Sequence, residues 1–138
     1  MTVRVTNAQR AVPINARAMN RLARCAIRRL GITTSGELAI TFIGARRMRA
    51  LNKRFRRHDW TTDVLSFRYD HERIVGEILI APSEALAYAK RHRLPYATEL
   101  SRYVVHGLLH WLGHEDRTAA EQRAMRANED RLLTACAS

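Results

Sequence analysis

Tyr103-Val-Val-His-Gly-Leu-Leu-His-Trp-Leu-Gly113 decides how this chain is read, because it is apolar on every side of a helix except at two histidines. A helix apolar all round is a central, buried one, so its histidines are expected to be buried with it. His106 and His110 stand one turn apart on one face, close enough to share a metal ion. On the H-x-x-x-H spacing alone, a pair of satisfied core histidines is an equal reading.

The residues that follow favour the metal. Gly113 can end the helix three residues after His110 and turn the chain back toward the face it has left, which brings Asp116 near the pair. His114 is the competing third ligand, but on a continuing helix it would stand roughly 12 Å along the axis from His106. Asp116 is preferred, since two histidines and a carboxylate make a zinc set that leaves one position for water. Asp116 could instead serve the final helix as a cap or pair with Arg117.

A peptidase helix of the H-E-x-x-H type carries a glutamate as general base just after its first histidine. Here that position is Gly107, so proteolysis by that route lacks its base. Phosphodiesters are the better substrate, because a cation and arginines stabilise the charge on their non-bridging oxygens. Arg46-Arg-Met-Arg-Ala-Leu-Asn-Lys-Arg-Phe-Arg-Arg57 holds seven basic residues among twelve and no acid. Arg46, Arg47, Arg49, Lys53, Arg54 and Arg57 are accordingly expected to attract the phosphate backbone of such a substrate, with a merely solvated helix face as the competing reading. Trp60 is the better candidate to stack a base; Phe55 is spaced for the core.

The rest of the chain fits around this centre. At 138 residues it is expected to form one domain spanning 1–138. Its 24 basic and 13 acidic residues give a net charge of +11, which favours a polyanionic partner. Of the basic residues 22 are arginine, and a genomic codon bias would do the same, so the arginine excess alone names no function. No window approaches the roughly 20 apolar residues of a membrane helix, and Met1 to Asn7 lacks an apolar signal core. A protein with no membrane association, in the cytoplasm, is expected. Cys25 and Cys136, 111 positions apart, carry no dense spacing of a disulfide scaffold and are expected to be reduced.

Periodicity gives strand 2–6, a helix closed by Gly31 with Arg17, Arg21, Arg24 and Arg28 outward, strand 37–43 and helix 45–55. Strands 63–69 and 74–81 follow as an antiparallel hairpin. Then come a helix capped by Ser83 and running to Arg91, the histidine helix from Ala97, and a last helix opened by the capping box Thr118-x-x-Glu121. The order implies an α+β fold with one mixed β-sheet of about four strands covered by helices.

His106-Gly-Leu-Leu-His110 with Gly113 resembles the H-G-x-L-H-x-x-G-Y-D-H signature of the YbeY family of bacterial endoribonucleases. Asn52-Lys-Arg-Phe-Arg56 is similar to that family's N-x-x-[Y/F]-R, Thr62-Asp-Val-Leu-Ser-Phe67 to its T-D-V-L-S-F, and Gly76-Glu-Ile78 to its G-D-I, in the same order. The resemblance implies a metal-dependent, single-strand-specific endoribonuclease of ribosomal RNA maturation and ribosome quality control, with the ribosome or its small subunit as partner. It also implies zinc on three histidines. Two of these carry over, as His106 and His110; the third position falls on Asp116, with Glu115 and His114 at the signature's Asp and Tyr. An anionic third ligand lowers the site charge by one and raises the pKa of bound water.

Arg56 matches the motif arginine and is assigned the scissile phosphate, where a structural ion pair with Asp59 or Asp63 is the alternative. Asp63 and Ser66 are expected beside the metal, or Asp63 on the amides of the preceding loop; Leu65 and Phe67 belong to the core and Glu77 to solvent. The mechanism expected is one divalent ion, zinc by the family's precedent, binding water and a phosphate oxygen while Arg56 stabilises the developing charge. A non-catalytic RNA- or ribosome-binding protein with a structural metal, or none, is the rival. A metallohydrolase of other substrates is disfavoured by Gly107 and the +11 charge.

Overall fold

A computed structural model describes residues 1–55, 63–69 and 73–137. Arg56, Arg57 and Trp60 lie outside the described residues. The chain runs β1 (Thr2–Ala8), α1 (Ala16–Arg29), β2 (Glu37–Ile43), α2 (Ala45–Phe55), β3 (Val64–Arg68), β4 (Ile74–Ile80), α3 (Pro82–His92), α4 (Tyr96–Trp111) and α5 (Ala119–Ala135). This is the order read from the periodicities.

The four strands form one sheet in the order β1-β2-β4-β3. β1 and β4 flank β2 in parallel, and β3 pairs antiparallel with β4 at the edge, so the sheet is mixed. Parallel neighbours need a crossover, which α1 supplies between β1 and β2. Strand alternation divides the apolar residues between the two faces. Leu38, Ile40, Phe42, Ile78 and Ile80 pack with α1 and α4 in the main core. Ile43 and Leu79 pack with Met48 of α2 in a smaller cluster, which Leu51, Leu65 and Phe67 adjoin.

α4 is the central helix, touching α1, α3, α5, β3 and β4. Val104, Val105, Leu108 and Leu109 are fully buried, as an all-round apolar helix demands. The histidines depart from that expectation. His106 and His110 keep 23% and 20% of their side-chain surface, and His106 faces a cavity between α4 and α5.

Four further expectations are corrected. Ser83 does not cap α3: Ala81 is the cap and Pro82, whose fixed φ suits the first helical position, starts the helix. Phe55 is exposed: at the last position of α2 its ring meets Phe67 of β3 only edge-on, at 5.4 Å, and is not enclosed by the core. Glu77 is half-buried and accepts a hydrogen bond from Tyr69 Oη at 3.1 Å. Cys25 and Cys136 are joined in a disulfide, since α1 and the end of α5 bring their Cα atoms to 5.8 Å across 111 positions of chain. Among the described residues, no helix is long and apolar enough to cross a membrane.

Candidate metal centre

Glu99, Arg102, Tyr103, His106 and His110 lie at steps of three or four along α4 and form a polar stripe. The rings of His106 and His110 are 4.5 Å apart between centroids. α4 ends at Leu112, where Gly113 takes φ +104°. Its N–H and that of His114 return to the carbonyls of His110 and Leu109, at 2.9 and 3.0 Å, a left-handed closure that only glycine takes without strain. This reversal sends Asp116 back over the histidines.

Asp116 Oδ2 lies 3.5 Å from His106 Nε2 and 3.4 Å from His110 Nε2. One donor atom from each of the three residues falls within 4.8 Å of the others, a grouping that could hold a metal ion. His114 has an exposed side chain outside this group, and Glu115 turns to Arg117 at 3.4 Å.

A residue without a role in the sequence reading completes the geometry. Glu129 of α5 brings Oε2 to 2.6 Å from His106 Nδ1, while its Oε1 accepts from Arg102 at 2.9 Å. Its side chain is only 5% exposed. Burial by itself would raise the Glu129 pKa, but the bonds from His106 and Arg102 outweigh it and hold the carboxyl below its ordinary range. The signal was present in the periodicity: Met125, Glu129 and Leu132 share the buried stripe of α5, so a carboxylate occupies an apolar position. Such a residue needs a buried partner.

The donor chemistry fits a divalent cation. A neutral His106 that donates Nδ1–H to Glu129 turns the lone pair of Nε2 toward Asp116, the arrangement a metal ligand needs. Burial, followed by the neighbouring His106, lowers the His110 pKa and favours its neutral form. Two imidazole lone pairs and a carboxylate then converge, and Asp116 Oδ1 is buried with no hydrogen-bond partner. A cation resolves this crowding of acceptors. Two nitrogens and one oxygen suit zinc or a similar divalent ion and leave a coordination position open.

Gly107 explains the missing glutamate of a peptidase helix. A Cβ there would meet Ile78 Cγ2 at 2.6 Å and Val64 Cγ1 at 3.0 Å. Its carbonyl accepts Ser66 Oγ at 2.8 Å, so Ser66 ties β3 to α4 and is not among the residues lining the cavity. Asp63 does line the cavity, and its Oδ2 accepts Tyr103 Oη at 3.3 Å. The cavity, of about 420 Å³, lies between α3, α4 and α5, with His106 and Asp116 on its wall. Arg46, Arg47, Arg49, Lys53 and Arg54 are exposed along α2, and none of them lines it.

Fold and donor set thus define an α+β chain with a histidine–histidine–aspartate group at a cleft beside its central helix. The family model described as Endoribonuclease YbeY matches residues 4–137. The Endoribonuclease YbeY of Anaeromyxobacter dehalogenans is 37% identical over 142 residues, covering 98% of this chain and 72% of that protein. That of Macrococcus caseolyticus is 31% identical over 127 residues, covering 85% and 82%. The solution structure of TM1509 from Thermotoga maritima superposes with a TM-score of 0.65 at 20% identity, covering 98% of this chain and 89% of that one, which bears on the fold. The chain belongs to the YbeY endoribonuclease family.

Proposed function

We propose that this chain, as one domain over residues 1–138, is a metal-dependent endoribonuclease of the cytoplasm that cuts single-stranded RNA. Its substrate in this reading is ribosomal RNA during maturation and quality control, met on the ribosome or its small subunit. The observation that carries the reading is the convergence of His106, His110 and Asp116, with Glu129 behind His106, in a chain of the YbeY family.

His106, His110 and Asp116 would hold the ion, zinc by preference of the donor set. When bound, it would supply a Lewis acid for a phosphate oxygen and lower the pKa of water. Glu129 fixes the tautomer and orientation of His106, and Arg102 holds Glu129. The exposed cations of α2 gather the RNA backbone from outside the cleft. Arg56, which follows α2 directly in sequence, is assigned the scissile phosphate.

The test is elemental analysis of the purified protein beside His110→Ala, Asp116→Ala and His114→Ala, with cleavage of single-stranded and duplex RNA scored in parallel. Stoichiometric metal and single-strand cleavage, both lost in the first two variants and kept in the third, support the reading; Arg56→Ala should then keep metal and lose cleavage. RNA binding with no cleavage by the metal-loaded protein would leave a non-catalytic binding protein.

A further inference from the structure

One strongly charged face takes no part in the reading above. Arg17, Arg21, Arg24 and Arg28 follow one another along α1 at steps of three or four and form a single exposed stripe, about 16 Å long at the rise of an α-helix. α1 contains no acidic residue, and among the described residues none of these four arginines is in an ion pair with a carboxylate. Like charges one turn apart repel, a cost that a polyanion lying along the stripe relieves.

The stripe borders a groove of about 560 Å³ between α1, the first turns of α4 and the end of α5, which the Cys25–Cys136 bond holds in place. Arg21, Arg24 and Arg28 line this groove with Thr98 and Ser101; its other lining residues are apolar, and no described carboxylate is among them. The cavity at the metal centre is the reverse, with Asp63, Glu99, Asp116 and Glu129 on its wall, and the two share no residue. α1 also packs on the face of the sheet opposite to α2, so its arginines do not continue the α2 row.

Lipid headgroups and nucleic-acid phosphates are both anionic, and the burial of α1 decides between them. A helix that lies in a membrane surface needs an apolar face to insert, and that of α1, with Met19, Leu22, Ala26 and Ile27, is already packed in the core. What the stripe offers is guanidinium, which pairs with phosphate through two hydrogen bonds, repeated every 5–6 Å or so, close to the step between phosphates of an extended strand. Resting on the endoribonuclease reading above, we propose that the α1 stripe and its groove are a second RNA-binding surface. It holds the phosphate backbone of the substrate outside the metal-centre cleft and reads no base sequence.

The test is fluorescence anisotropy of a labelled phosphorothioate oligouridylate, which keeps the charge of an RNA backbone and resists hydrolysis, titrated with the purified full chain over a range of KCl. Arg17→Gln, Arg21→Gln, Arg24→Gln and Arg28→Gln together should weaken binding roughly tenfold or more near 0.1 M salt, and the salt slope should fall by about three, at roughly 0.7 per phosphate contact of a single strand. Lys at the same four positions keeps the charges and should keep the slope. Gln at Arg73, Arg91, Arg93 and Arg123, exposed arginines before β4, at the end of α3 and on α5, changes the net charge equally and should cost far less. Equal losses in the two Gln variants, or a slope lost with Lys as well, would overturn the surface. So would stripe-dependent binding of phosphatidylglycerol vesicles with none of RNA. Stripe-dependent binding without cleavage of unmodified RNA supports the surface and removes the nuclease reading; cleavage with binding independent of the stripe does the reverse.

Discussion

Glu129 Oε2 lies 2.6 Å from His106 Nδ1, joining the last helix to the histidine helix through a buried, charge-assisted hydrogen bond. Removing the charge frees the His106 ring to exchange tautomers. Glu129→Gln should therefore weaken zinc or cobalt binding roughly 10- to 100-fold, measured by competition with a chelator. The same variant should lose roughly 1–3 kcal/mol of folding stability, since Arg102 retains Asp130 as partner. Unchanged metal affinity would remove Glu129 from the site.

Asp63 gives the pH dependence. Its folded pKa is raised, mainly by burial and then by Glu84, so its carboxylate form is disfavoured in the folded chain. A raised pKa contributes stability that is fully present below the unfolded value of about 3.9 and is lost as pH rises through the folded value. Asp63→Asn should consequently be the more stable protein at pH 7, with the difference closing toward pH 3.5. Urea unfolding of both proteins across that range measures it, and a difference independent of pH would contradict the assignment.

Gly107 admits no side chain. A Cβ 2.6 Å from Ile78 Cγ2 and 3.0 Å from Val64 Cγ1 forces apart β3, β4 and α4 at the point where Ser66 binds the Gly107 carbonyl. Gly107→Ala should cost about 1–3 kcal/mol in thermal unfolding, as overpacked sites do. Gly107→Glu, which restores a peptidase-like H-E-x-x-H, should fail to fold and gain no peptidase activity.

The Cys25–Cys136 bond closes a loop of nearly the whole chain. Reduction, or the Cys25→Ser/Cys136→Ser pair, should lower stability by roughly 2–5 kcal/mol, read as a shift of the denaturation midpoint. Mass spectrometry of the unreduced protein should show two hydrogens fewer than after reduction. An unshifted midpoint would show that α5 is held by its packing alone.

Local signals in the sequence were enough for the elements and for much of the candidate site. Period two gives β2 as Glu37–Ile43, Thr118 and Glu121 cap α5 reciprocally, and Gly113 turns the chain back toward His106. His106, His110 and Asp116 are legible together because they lie within eleven consecutive residues. Their meeting depends on helix pitch and one left-handed glycine, both local properties.

What only the tertiary structure decides involves partners far apart in sequence. Glu129 reaches His106 across 23 positions, Asp63 reaches Tyr103 across 40, and Cys25 reaches Cys136 across 111. No periodicity encodes which face of α5 lies on α4, how far it leaves the histidines open, or that Ser66 spends its hydroxyl on a carbonyl. Those follow from the packing of helices against one twisted sheet, where the position of each side chain is set by neighbours that local sequence does not contain.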